Sequence, residues 1–325
     1  MIDFDLPKQY IASSPAHPRD SAKLLVYDRV TKQITDAVFK DINKYLNPKT
    51  TLVINNSKVE HCRWLFAGGI ELFVLQKLDT HTVRVMVRKG KKFKVGMNTA
   101  LTEWLSVEVM AVDSDGIRTL KLNMPHDDPR LVPYEHIPLP PYIPQNDKLA
   151  DDYQTVYAKP LGSKAAPTAG LHFTEGLLAE IAKQHAVAEV TLHVGLGTFA
   201  PLTQEQLKKG FLHSEWYEIK DNTAKILNNT QHITAVGTTT VRTLESNNQA
   251  GMFVPKTGTT DILIQPGYNW HAVDSLITNF HLPSTSLLLL VESFVGSAGE
   301  LQQIYNHAIA NHYRFYSFGD AMLIL

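Results

Sequence analysis

The sequence predicts an α/β protein whose larger discontinuous domain is interrupted by a small all-β module. Three observations carry this. Residues 20–60 and those after Asp151 alternate short apolar strands with helical stretches, the pattern of an α/β layer. Between them, IELFVLQ, HTVRVMVRKG, LSVEVMAVDS and IRTLKLN alternate apolar with polar residues and are parted by glycine or acidic turns, the texture of an all-β module. That module closes at Pro138-Leu139-Pro140-Pro141-Tyr142-Ile143-Pro144, where fixed φ values and missing amide donors favour an extended connector. The expected domains are therefore 1–57 with 152–325, and 58–151 as an insertion, with a ligand cleft expected between them.

In order along the chain, Ala22–Tyr27 reads as a strand, Asp36–Leu46 as a helix, and Thr51–Ile54 as a second strand running into Asn55-Asn56-Ser57. Beyond the insertion, strands are expected at Ala188–Val194, Ile233–Val236 and Ile262–Ile264. Helices are expected at Glu175–Gln184, Val241–Asn248, Ser286–Phe294 and Glu300–Tyr313. There is no internal repeat, heptad or low-complexity tail, which removes solenoid readings.

Composition narrows the class further. The chain has 325 residues with 44% hydrophobic and 19% charged, an ordinary globular balance. A lone cysteine, Cys62, excludes an internal disulfide framework and a thiolate zinc or iron-sulfur cluster, and fits a cytoplasmic protein. MIDFDLP, with Asp3 and Asp5, does not read as a secretory leader, and no apolar run is long enough for a membrane span. The net charge of −1 hides an asymmetry: residues 1–100 hold 17 Lys and Arg against 9 Asp and Glu, residues 101–325 hold 14 against 23. Five cations fall within Arg88–Lys94, which reads either as a phosphate-facing patch or as a solvated hairpin.

Several loops carry polar residues at element ends. Lys164–Phe173 contains Thr168, Gly170 and His172 just before a helix that Thr174 would cap, an arrangement suited to a carboxylate, ribose or phosphate; the plain alternative is a packing loop around a core histidine. The stretch Thr191–Ala200 holds His193, Gly195 and Gly197. Its G-x-G-x-x-A resemblance to a dinucleotide fingerprint fails because the next helix starts near residue 203, beyond the glycines. If His213–Glu218 is extended, Glu215 and Tyr217 share a face with His213. Gly237-Thr238-Thr239-Thr240 opens a helix on which Arg242 and Glu245 are neighbours, but the lysine of a phosphate loop is missing. Asp261 precedes one predicted strand, and Thr278-Asn279-Phe280-His281 precedes the apolar helix with groups able to surround a flat heterocycle. Fourteen histidines lack the spacing of a zinc site, and G-x-S-x-G does not occur. No metal is expected.

In order, DFDLP, HPRDSAKLLV, LVINNSKV, LPPYI, YQTVYA, AAPTAGLHF, TLHVGLGTF, HSEWYE, AVGTTTVRTLE, TDILIQPGY, LITNFHLP and RFYSFGDAMLI run from Asp3 to Ile324. This set resembles the S-adenosylmethionine:tRNA ribosyltransferase-isomerase family of queuosine biosynthesis. The resemblance implies a two-domain enzyme, its larger discontinuous α/β domain interrupted by a small antiparallel β-barrel domain, that consumes S-adenosylmethionine as a cosubstrate. Its ribosyl part goes to 7-aminomethyl-7-deazaguanine at the tRNA wobble position, giving epoxyqueuosine, adenine and methionine. A divergent homologue acting on another deazapurine or nucleoside, or a noncatalytic tRNA-binding relative, would share the same segments.

Side-chain chemistry then assigns expected roles. His172 or His193 would be the base that removes a proton acidified by the sulfonium, His281 the acid or orienter near adenine, and Glu215 a proton acceptor or orienter. Thr168, Gly170, Gly195, Gly197, Thr238, Thr239, Arg242, Asp261 and Asn279 would hold the cosubstrate, and Lys23, Lys58, Arg63, Arg88, Lys89, Lys91 and Lys92 the RNA. Lys23 and Lys58 stand where the family usually has arginine, and residues 63–71 look shortened around the insertion. A monomer is the expected state.

Overall fold

The computed structural model describes residues 4–195 and 202–325. It divides into two compact units, Met1–Val59 with Leu139–Leu325, and Glu60–Pro138. The stretch 139–151, which the sequence assigns to the insertion, is part of the larger unit.

The larger unit is built on a nine-stranded mixed sheet. Its strands are β1 (Lys23–Tyr27), β2 (Ile34–Val38), β3 (Thr50–Asn55), β4 (Ala186–Leu192), β5 (Phe211–Ile219), β6 (His232–Val236), β7 (Lys256–Ile262), β8 (Ser275–Asn279) and β9 (Ala321–Ile324). Their order is β7-β5-β4-β3-β6-β8-β9-β1-β2. The four strands β4, β3, β6 and β8 run parallel, so their carboxyl ends share one edge. Every residue of β3 is buried, as expected of a central parallel strand covered on both faces.

The helices are α1 (Glu175–Ile181), α2 (Gln204–Lys209), α3 (Asp221–Asn228), α4 (Thr238–Asn247), α5 (Ser286–Val295) and α6 (Ala298–Ala310). Local chemistry sets several of their starts. Thr174 Oγ1 accepts from Leu177 N at 3.1 Å ahead of α1, and Thr203 forms a capping box with Gln206 ahead of α2. The helix α5 buries all residues from Leu288 to Val295, so it packs as a core element rather than as an amphipathic surface helix.

Two expectations about local structure are corrected. Asp36–Leu46 is not a helix: Ile34–Val38 pairs antiparallel with β1, and Phe39–Lys44 forms a 3-10 turn that buries Phe39 and Ile42 three residues apart. The hairpin turn before β2 is set by Asp28 Oδ1, which accepts from Val30 N and Thr31 N at 2.8 and 3.0 Å, so strand pairing outweighs helix propensity here. The strand expected at Ile262–Ile264 lies earlier, at Lys256–Ile262.

The smaller unit is one antiparallel sheet of seven strands. The order is Glu135–His136, Arg63–Phe66, Ile70–Lys77, Thr82–Arg88, Arg118–Leu122, Ser106–Val112 and Asn98–Ala100. The first and last of these are its two hydrogen-bonded edges, and every neighbouring pair is antiparallel, as expected of the inserted β module. Register shifts at Val74/Gln76 and Thr119/Leu120 add twist. Trp64, Leu72, Val74, Val83, Val85, Val107, Val109 and Leu120 fill its core. Among the described residues no helix is long and apolar enough to cross a membrane.

Candidate active site

A cavity of about 460 Å³ lies in the larger unit at the carboxyl ends of β4, β6 and β8, where open α/β sheets bind ligands. Val194 reaches it from the end of β4, Gly237, Thr238 and Thr239 from the β6–α4 turn, and Thr278 to Thr285 from β8 and the turn before α5. Residues distant in sequence add to the wall: Ala165–Ala169, and the aromatic set Tyr142, Tyr153 and Tyr316 with Ser317.

The β6–α4 turn works because Gly237 takes φ 84°, a left-handed conformation that lets the chain reverse straight into the helix. Thr239 then faces both ways. It lines the cavity, and its Oγ1 accepts from Asn55 Nδ2 at 3.2 Å. Asn55 also exchanges hydrogen bonds with Leu192, accepting from its N and donating to its O, both at 3.0 Å. One buried amide thus ties β3, β4 and α4 together behind the cavity.

A second chain of hydrogen bonds runs inward from the wall. Thr168 Oγ1 donates to Asn279 Oδ1 at 2.8 Å, and Asn279 Nδ2 donates to His172 Nε2 at 3.2 Å. His172 is 5% exposed, packs 5.0 Å from the Phe39 ring, and does not line the cavity. Burial first, and the nearby charges of Arg314 and Arg19 next, push its pKa down to about 3. His172 is therefore neutral, and its ring nitrogen is engaged by Asn279.

His281 is the histidine on the wall among the described residues. Its Nε2 shares a hydrogen bond of 2.8 Å with Thr278 Oγ1, and its backbone N donates to Tyr305 OH at 2.9 Å. Burial lowers its pKa to about 4, so it too is neutral at pH 7. Opposite in kind is the tyrosine corner: Tyr142 and Tyr316 meet edge to face at 4.4 Å, and the Tyr142 hydroxyl is bonded to Ser317 Oγ and accepts from Ser317 N at 3.1 Å.

Other expected site residues lie elsewhere. Side chains alternate along the end of β4, so Val194 enters the cavity while His193 stacks on Trp216 at 4.8 Å with Gly162 closing over its ring. Glu215 and Arg242 form an ion pair, 3% and 7% exposed, beside a void of about 20 Å³ that holds no more than a water. Glu215 Oε1 also accepts from Gly195 N at 2.8 Å. His213 is exposed while Glu215, Tyr217 and Ile219 are buried, because a register shift between Phe211 and Glu215 breaks the expected common face. Gly170 serves packing: a Cβ there would stand 2.0 Å from the Tyr157 hydroxyl. Asp261 is exposed on edge strand β7, and Gly197 lies outside the described residues.

The expected RNA-facing cations fall in both units. In the larger, Lys58 is exposed, and Lys23 caps the end of α6 by donating from Nζ to Asn311 O at 2.7 Å. In the smaller, Arg63 binds Glu71 at 2.8 Å with Arg88 3.7 Å from the same carboxylate, Lys89 donates to Gly68 O at 2.8 Å, and Lys91 and Lys92 are exposed. Among the described residues no group of three or more His, Cys, Asp or Glu is placed to hold a metal ion.

The family model described as queuosine biosynthesis protein matches residues 1–324. The chain belongs to that family. The S-adenosylmethionine:tRNA ribosyltransferase-isomerase of Thermotoga petrophila is 43% identical, with 100% of this chain and 98% of the relative covered. The enzyme of the same name from Clostridium kluyveri is 41% identical over 99% and 98%. A crystal structure of S-adenosylmethionine tRNA ribosyltransferase from Thermotoga maritima matches with a TM-score of 0.58 and 35% identity, covering 99% of each chain. Family membership accounts for the order of the loops that meet at the cavity. Side-chain chemistry overlooks Tyr142, Tyr316 and Ser317, although LPPYI and RFYSFGD carry the family resemblance.

Proposed function

We propose that the chain is an S-adenosylmethionine:tRNA ribosyltransferase-isomerase of queuosine biosynthesis and that the cavity at the carboxyl ends of β4, β6 and β8 is its cosubstrate site. The reaction moves the ribosyl part of S-adenosylmethionine to 7-aminomethyl-7-deazaguanine at the tRNA wobble position, forming epoxyqueuosine and releasing adenine and methionine. The observation that carries the reading is that the family segments LPPYI, YQTVYA, AAPTAGLHF, AVGTTTVRTLE, LITNFHLP and RFYSFGD each place residues on the wall of this one cavity.

In this reading the discontinuous α/β unit carries the chemistry. His281 is the acid-base group. A neutral imidazole on the wall can take a proton that the sulfonium has acidified, and once charged it can give a proton to departing adenine. The free amides at the start of α4, with the Thr238 and Thr239 hydroxyls, suit the carboxylate of the methionine part. Thr168 and Asn279 hold ribose oxygens, with His172 fixing the orientation of Asn279 from behind. Glu215 and Arg242 act structurally, and His193 stays outside the chemistry. The inserted unit, with Lys91 and Lys92, meets the RNA backbone. The chain acts as a monomer in this reading, and the buried lone Cys62 suits the cytoplasm.

The test is adenine release from S-adenosylmethionine in the presence of a wobble-modified anticodon stem-loop. H281A should lose about 10²-fold or more in rate, the range of a lost acid-base group, while H193A stays within about threefold. Near-normal turnover by H281A, or an RNA product whose mass lacks the added ribosyl part, would overturn the assignment.

A further inference from the structure

We infer that the Tyr142–Tyr316 pair recognises the positive sulfur of a sulfonium ligand and sets the preference for it over a neutral thioether. This rests on the cavity being the S-adenosylmethionine site. The first argument is electrostatic. A sulfonium carries a full positive charge, yet no Asp or Glu lines the cavity among the described residues. The hydroxyls, amide and neutral imidazole on the wall offer dipoles only. What remains to meet a soft, weakly hydrated cation is the negative face of an aromatic ring, and the two tyrosines meet edge to face at 4.4 Å on the wall.

The second argument is independent of charge. Tyr316 sits at φ 74°, in the left-handed region where a bulky side chain is strained. Its surroundings over-determine that conformation. Tyr316 N donates to Phe280 O at 3.1 Å, Gly319 N donates to Tyr316 O at 3.0 Å, and the buried Asp320 carboxylate accepts from Arg314 N at 2.7 Å and from Lys23 N at 3.0 Å. Gly319 leaves no room for a Cβ, which would lie 2.5 Å from Arg314 O. The Tyr142 hydroxyl, bonded to Ser317 next door, fixes the second ring against the first. Strain held this firmly at a cavity wall marks a side chain kept for what it touches, and Tyr316 with Asp320 behind it fits a specificity residue on a rigid mount.

The experiment measures the dissociation constants of S-adenosylmethionine and of S-adenosylhomocysteine, its neutral thioether counterpart, by calorimetry on the full chain. Wild type should prefer the sulfonium. Y316L and Y142L should each weaken S-adenosylmethionine about tenfold while S-adenosylhomocysteine changes less than twofold, and Y316F, which keeps the ring face, should restore the preference. Two leucine variants guard against one failing to fold, and the thioether affinity reports an intact cavity. Equal losses for both ligands would reduce the pair to ordinary packing and overturn the inference. So would a preference that survives in both leucine variants. A wild type that binds neither ligand would instead overturn the cavity assignment itself, and this inference with it.

Discussion

Replacing Arg242 with methionine should destabilise the larger unit while sparing the chemistry. The guanidinium and the Glu215 carboxylate are 7% and 3% exposed, and their shared environment is the interior between α4 and β5. Removing Arg242 takes the guanidinium from Glu215, whose Oε1 keeps the Gly195 amide at 2.8 Å, and also deprives Ile262 O, at 3.3 Å, of a donor. Removing one partner of a buried ion pair typically costs about 3–5 kcal/mol, because the lost attraction no longer offsets desolvation. The paired change E215Q/R242M removes both charges and should recover a large part of that loss. Urea unfolding followed by far-UV circular dichroism gives the stabilities, and adenine release per mole of folded protein gives the activity. If R242M cost less than about 1 kcal/mol while abolishing adenine release, the pair would belong to the reaction and the structural reasoning would be wrong.

Three further outcomes are expected. Because the His172 pKa is lowered to about 3 in the fold but is near 6.5 when unfolded, its share of stability is complete above about pH 6.5 and is lost as pH falls toward 3. At pH 5 that loss is on the order of 2 kcal/mol, so urea stability should drop between pH 7 and 5, and H172Q should flatten the slope. Gly170→Ala should cost about 1–3 kcal/mol through collision with the Tyr157 hydroxyl, and a second Y157F change should relieve part of it; thermal melts that show no loss would remove the packing argument. K91A/K92A should lower the slope of log affinity against log salt for tRNA by roughly 1–2, with the loss shared across sequences. An unchanged slope would place the RNA elsewhere.

Local chemistry was readable in the sequence where one segment decides its own shape. Thr174 and Thr203 announce helix starts through hydroxyls that reach the next turn's amides, and Ser286–Val295 can only be core because it is apolar almost throughout. The gathering of Thr168, Thr238, Thr239, Asn279 and His281 at one cavity was legible because polar loops at strand ends share an edge in a parallel sheet. The misreadings concern information held elsewhere in the chain. Ile34–Val38 is a strand because β1 pairs with it, and nothing within those residues says so. His193 and Val194 exchange sides on a one-residue shift, which sequence alone does not fix. His172 sits behind Asn279, a neighbour 107 positions away. The tyrosine corner depends on a backbone turn held by Asp320, a constraint invisible in residue types.

The position of β9 has a consequence for biosynthesis. Among the described residues β1 and β2 join the other seven strands of the sheet only through β9, with Leu24 opposite Ala321, and β9 follows all the others in the chain. During translation the first hairpin must wait, its Leu24–Tyr27 row lacking its neighbour, until the six strands between it and β9, and β9 itself, have left the ribosome. Such late, long-range closure slows maturation and leaves a sticky edge in the meantime, a stage at which chaperone capture would be most useful.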